Sequence, residues 1–182
     1  MPVLPLEGMR VVVLVADGVE DLEYWVTVMR LREGGALVTT VGTTLDPVRG
    51  KNGLEARADR LAADVSEPDV DGLVIPGGWA PDKLRRYPAV TGLVRSVHDA
   101  GKPIGIICHG GLVAISAGII APDHPTTGSL GIRDDLVNAG ARFVDEPAFR
   151  DGDLVWGRVV DDIPAFEREL VELFAEHHRP QA

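Results

Sequence analysis

Ile104-Gly105-Ile106-Ile107-Cys108-His109-Gly110-Gly111-Leu112-Val113-Ala114-Ile115 is the stretch that decides the fold. Its first four residues are apolar without alternation, which describes a short strand buried on both faces, as in a parallel sheet covered by helices. After two glycines the apolar residues resume, so the strand passes directly into a helix expected from about His109 to Ala117. Such a turn presents one side chain at the carboxyl end of the sheet and aims backbone N–H groups at whatever that side chain attacks. The side chain is Cys108, the only cysteine in 182 residues. A lone buried cysteine is ordinarily a small hydrophobe. A neighbouring histidine, and two glycines that let backbone approach a ligand, favour a reactive thiol instead.

Upstream, Val11 to Ala16 is a second apolar run, and a helix follows it. Leu22, Trp25, Val26 and Met29 recur at i, i+3, i+4 and i+7 and are expected to face the core. Glu20 and Asp21 occupy the positive first turn, Arg30 and Arg32 the negative last one, and Gly34-Gly35 ends the helix. Leu37 to Val41 is the next strand, and the β-α-β alternation predicts parallel pairing. Val48 to Ala58 reads as an edge strand or hairpin around Asn52-Gly53. Leu73-Val74-Ile75 is a further buried strand. It leaves through Pro76-Gly77-Gly78 into a helix opened by Pro81-Asp82, interrupted near Pro88 and resumed through Val90, Leu93, Val94 and Val97.

Downstream, Ile119 to Ser129 reads as loop or short strand, and Ile132 to Ala139 as a helix closed by Gly140. Phe143-Val144 and Leu154-Val155-Trp156 read as short strands around a turn at Asp151-Gly152. Asp162 is expected to cap a last helix with Phe166, Leu170, Leu173 and Phe174 as its apolar stripe. His177-His178-Arg179-Pro180 reads as a fraying tail, not a metal site. With no repeat or linker, residues 1–182 form one domain with its core at about 9–176. The architecture expected is α/β: a three-layer, flavodoxin-like sandwich with a mostly parallel central sheet and helices on both faces.

A formal net charge of -10 argues against nucleic acid and anionic membranes as partners, since both require basic surface. No segment approaches the roughly 20 apolar residues that span a bilayer, and Met1 to Glu7 lacks the features of a signal peptide. A cytoplasmic protein in a reducing compartment is expected. Asp64, Glu67, Asp69 and Asp71 lie in a polar loop without ligand spacing, so neither a metal nor another cofactor is expected.

Four motifs carry a resemblance. They are Ala16-Asp17-Gly18-Val19-Glu20-Asp21-Leu22-Glu23, the Pro76-Gly77-Gly78 exit followed by Ala80-Pro81-Asp82, Gly101-Lys102-Pro103 leading to Ile107-Cys108-His109-Gly110, and Gly131-Ile132-Arg133-Asp134-Asp135 through Gly140. In this order, over Met9 to Phe174, they resemble the PfpI family of the class I glutamine amidotransferase-like superfamily. That family comprises intracellular cysteine peptidase-like proteins related to protein deglycases. The resemblance implies a reactive Cys108 with Glu23 against it, and dimers or hexamers. It also implies a triad in which His109 meets an acid from a neighbouring subunit. The triad acid position holds Asp82, one methylene shorter than the family's usual glutamate. Gly111 replaces a proline, Trp79 a smaller or basic residue, and Ser129-Leu130 a pair that begins with tyrosine.

The site read from the residues therefore has Cys108 as nucleophile, with the Gly78 and His109 amides as oxyanion donors. The following helix is expected to lower the thiol pKa. Adjacent residues at a helix start project roughly 100° apart, so the His109 ring is not expected to face the thiol. Glu20 and Trp79 are pocket candidates, and His124 is a substitute for the absent phenol. The first reading is a deglycase or glyoxalase type of enzyme acting on small carbonyl compounds or glycated proteins and peptides. The alternatives are an oligomeric cysteine peptidase and a redox-responsive stress protein that senses oxidants through Cys108.

Overall fold

The computed structural model describes residues 4–178; the readings that touch Met1-Pro2-Val3 and Arg179-Pro180 lie outside the described residues. The chain begins with β1 (Arg10–Leu14), α1 (Asp21–Glu33) and β2 (Leu37–Gly42). A small hairpin, β3 (Val48–Arg49) with β4 (Glu55–Ala56), precedes β5 (Arg60–Leu61) and β6 (Gly72–Ile75). Next come α2 (Ala80–Leu84), α3 (Pro88–Asp99), β7 (Ile104–Ile107) and α4 (Gly111–Ala117). The last part contains β8 (Pro125–Thr126), α5 (Arg133–Asn138), β9 (Arg142–Phe143), β10 (Ala148–Asp151), β11 (Leu154–Gly157) and α6 (Ile163–His178).

The main sheet has the order β10-β11-β7-β6-β1-β2-β5. All its pairs are parallel except β10 with β11. Helices α1 and α6 pack together on one face, and α2, α3 and α4 on the other, which gives the expected three layers. The central strands are buried on both faces: Leu73, Val74 and Ile75 are each 0 % exposed. That is why they read as unbroken apolar runs.

Several expectations need correction. The stripe Leu22, Trp25, Val26 and Met29 is not the core face of α1; Leu22 is 49 % and Met29 61 % exposed. The opposite face, with Glu23, Tyr24, Thr27, Val28 and Leu31, is buried against the sheet. The 151–152 turn joins β10 to β11 in an antiparallel hairpin, whereas β9 pairs in parallel with β8 in a separate ladder. The Asp162 carboxylate binds the Arg158 guanidinium, with Nε at 2.8 Å. Helix α6 runs through His178, and His177 pairs with Asp153 at 3.0 Å, so these two histidines are not a frayed tail.

Candidate active site

The site forms where β1, β6 and β7 end, at the rim of the sheet on which parallel α/β folds hold their ligands. Cys108 follows β7 with φ 58, a left-handed backbone that a non-glycine residue adopts only at a cost of about 1–2 kcal/mol. The next residues form a single 3₁₀ turn, Cys108–Gly110, before α4 begins. This local backbone corrects the reading of His109. Its ring folds back, and Nδ1 lies 3.2 Å from Cys108 Sγ.

Glu23 is delivered from the first turn of α1 and is 0 % exposed. The loop before α1 is tied to the β6 exit: Glu20 N–H donates to Gly77 O at 3.1 Å and Trp79 N–H to Gly18 O at 2.7 Å. Glu23 Oε2 in turn accepts the Gly77 N–H at 2.7 Å. Gly77 is where sequence reasoning missed a functional position. A Cβ there would lie 2.6 Å from Glu23 Oε2, 2.7 Å from Cys108 Cβ and 2.9 Å from the His109 nitrogen. Only a residue without a side chain lets acid, sulfur and amide converge. Gly78 has φ +76, and its N–H and that of His109 both act to favour the Cys108 thiolate.

Glu23 Oε1 is buried with no hydrogen-bond partner, and the Cys108 thiol is one of the groups that act on the Glu23 carboxyl. Burial, more than any other cause, pushes Glu23 up to about 7. The thiol moves opposite to the expected direction. Burial first, then the charge and hydrogen bond of Glu23, push Cys108 up to about 12, against the His109 and Gly78 amides. The short 3₁₀ turn does not outweigh desolvation. Burial and the nearby Lys51 hold His109 below the usual imidazole range.

The pocket at Sγ has a volume of about 200 Å³ and is lined by Glu20, Lys51, Gly78, Trp79, Ser129 and Asp161 among others. Glu20 is the N-cap of α1: its Oε2 accepts from Leu22 and Glu23 N–H, and its Oε1 from Asn52 Nδ2 at 2.9 Å. Trp79 is 60 % exposed and forms an outer wall. Two candidates lie elsewhere. Asp82 is exposed on α2 and paired with Arg86. His124 pairs with Asp151 at 2.6 Å beside a different cavity, so it does not replace the missing phenol. Lys51 and Ser129 were missed; only the Asn52-Gly53 turn signal pointed to that hairpin, not to its docking on α1.

The model of the DJ-1/PfpI family matches residues 9–173. The chain belongs to this family. The deglycase PfpI of Pyrococcus furiosus is 34% identical over 165 residues, which are 91% of this chain and 99% of that one. Protein/nucleic acid deglycase 2 of Escherichia coli is 36% identical over 170 residues, 90% of this chain and 96% of its own. Among solved structures, a two-domain protein from Anabaena variabilis with DJ-1/ThiJ/PfpI-like and ferritin-like domains superposes with a TM-score of 0.89 at 30% identity. The match covers 96% of this chain, which spans about half, 52%, of that longer protein. Drosophila melanogaster DJ-1beta gives a TM-score of 0.83 at 26% identity, over 93% of this chain and 95% of its own. By family the chain is a PfpI-type enzyme. Among the described residues, no helix is long and apolar enough to cross a membrane.

Proposed function

We propose that this chain is a cysteine-nucleophile enzyme that acts on reactive carbonyls or glycated side chains. The observation that carries the reading is the convergence on one sulfur of two backbone N–H groups, a buried carboxyl and an imidazole nitrogen at 3.2 Å. The thiolate is the attacking species. In the resting pair one proton is shared: with Glu23 ionised the thiol keeps its proton, and with Glu23 protonated the repulsion is gone and Oε1–H can donate to the sulfur anion. Glu23, poised near neutrality, therefore suits proton acceptance from Sγ as the sulfur attacks a carbonyl carbon. The Gly78 and His109 amides then stand ready to hold the oxyanion.

A peptidase triad lacks its acid within one chain, because Asp82 is engaged with Arg86. The expected assembly is a homo-oligomer. Leu22 and Met29, exposed beside half-buried Trp25 and Val26 on α1, supply an apolar face for a second copy. The expected compartment is the cytoplasm, where the single thiol stays reduced.

The test is turnover of methylglyoxal and of a methylglyoxal-treated thiol by the wild type and by Cys108→Ser. Loss of turnover in a folded Cys108→Ser supports the reading, because a serine hydroxyl is a poor nucleophile without a positioned base. Equal turnover in the two proteins would remove Cys108 from the chemistry.

A further inference from the structure

We propose that Lys51 determines the specificity of the Cys108 pocket, selecting carbonyl adducts that carry a carboxylate close to the reacting carbon. The inference deepens the carbonyl reading above and rests on it for the identity of the substrate.

The β3–β4 hairpin is fastened at its tip to the start of α1. Asp21, only 3 % exposed, accepts the Asn52 N–H at 2.6 Å and the Leu54 N–H at 2.8 Å. Asn52 Nδ2 donates to Glu20, and the Lys51 N–H donates to Val19 O at 2.8 Å. Gly50 sits against the Asp21 carboxylate so closely that a Cβ would collide with it. A buried aspartate is thus committed to holding a surface turn in one place. The residue that turn carries over the pocket is Lys51.

Lys51 is the only lysine or arginine lining this pocket, and no carboxylate pairs with it among the described residues. Two carboxylates, Glu20 and Asp161, share the lining with it. Glu20 spends both oxygens on the α1 N-terminus and Asn52. Asp161 and Lys51 are both exposed at the mouth. The charge of Lys51 is felt by both Glu23 and His109, and at Glu23 the charge of Glu20 acts in the opposite sense and more strongly. At the reacting sulfur the charge that acts on the thiol is that of Glu23, and Lys51 is the cation the pocket lining offers to a substrate anion. An ammonium held near a substrate carboxylate at partial solvent exposure favours it over a neutral group by roughly tenfold.

The reaction needs no external oxidant. In a methylglyoxal hemithioacetal, RS–CH(OH)–CO–CH₃, water adds as the C–S bond breaks. The aldehyde carbon is oxidised to a carboxylate while the ketone carbon is reduced to an alcohol, which yields RSH, lactate and a proton. Only R varies between substrates.

The first measurement does not depend on turnover. Cys108 is alkylated with iodoacetate or iodoacetamide at one pH in the wild type, Lys51→Met and Lys51→Arg; in each reaction the thiolate forms a C–S bond and iodide leaves with the C–I electron pair. The iodoacetate-to-iodoacetamide rate ratio should fall roughly tenfold in Lys51→Met, be retained in Lys51→Arg, and shrink in the wild type as salt rises. An unchanged ratio in Lys51→Met overturns the inference. The second measurement compares hemithioacetals of methylglyoxal with N-acetylcysteine, N-acetylcysteine amide and thiocholine, which present an anion, a neutral group and a cation. Wild-type kcat/KM should rank in that order, and the anion-to-neutral ratio should collapse in Lys51→Met through KM more than kcat. A retained order in Lys51→Met contradicts the inference. A shifted alkylation ratio with no turnover of any adduct leaves Lys51 as the anion-selecting residue and removes the carbonyl reading alone.

Discussion

Glu23 and Glu167 are both buried carboxyls, 0 % and 5 % exposed, and burial pushes each of them up to about 7. Glu23 stands on α1; Glu167 stands on α6 and accepts a hydrogen bond from Thr27, one turn further along α1. Each has one oxygen satisfied and one without a partner. They differ in what surrounds the carboxyl. At Glu23 it is a cysteine sulfur in a strained turn at the open end of the sheet. At Glu167 it is the contact between two helices, with Val26, Ile163 and Val171 nearby. A perturbed carboxyl marks burial first, and the neighbouring nucleophile is what turns burial into chemistry.

The strongest way to break this comparison is Gly77→Ala. The added methyl would intrude on Glu23 Oε2, Cys108 Cβ and the His109 nitrogen while leaving Glu167 untouched. Turnover should fall at least about a hundredfold, as misplacement of about 1 Å does in other sites. Denaturant unfolding should show a loss of about 1–3 kcal/mol. Wild-type turnover in a stable Gly77→Ala would show that the close approach is not needed.

The shared property of the two carboxyls predicts how stability depends on pH. In the unfolded chain each ionises near 4.5, and in the fold near 7, so between these values the native state holds more protons. Stability is then fully present below about 4.5 and falls as pH rises toward 7, by roughly 3 kcal/mol for each group. Urea unfolding from pH 4 to 8 should show this fall. Glu23→Gln and Glu167→Gln should each remove about half of it, and a slope unaltered in both variants would refute the assignment.

The smallest effect is expected at Asp82, whose exposed pair with Arg86 should contribute no more than about 1 kcal/mol. Asp82→Ala should therefore unfold within that margin of the wild type. If its activity nonetheless falls, and falls further on dilution, Asp82 serves His109 in a neighbouring subunit.

The elbow was legible because its chemistry is local: an apolar strand, a cysteine and three following residues specify the turn without help from the rest of the chain. The central strands were legible for a similar reason, since burial on both faces leaves no alternation to misread. Helix α1 was not. It carries apolar residues on two arcs, and periodicity selects the stripe through Leu22 and Met29 over the one through Tyr24, Val28 and Leu31. What decides between them is Glu23, an acid that the site requires on the buried face. Lys51 and Gly77 were illegible as site residues because their roles depend on contacts across 31 and 54 positions: Asn52 to Asp21, and Gly77 to Glu23. The His109 ring was misplaced because ideal helical projection does not apply after a left-handed residue.

The central claim is that Glu23 holds the proton while Cys108 is a thiolate, and that Glu167 has no part in it. The most direct measurement is the rate of alkylation by iodoacetamide, between pH 5 and 9, in the wild type, Glu23→Leu, Glu23→Gln and Glu167→Gln. Near pH 7, Glu23→Leu should react at least about tenfold more slowly than the wild type, Glu23→Gln should fall between them, and Glu167→Gln should follow the wild-type curve. Faster alkylation in Glu23→Leu, with its profile moved to lower pH, would show an ionised Glu23 that only opposes the thiolate, and would contradict the account.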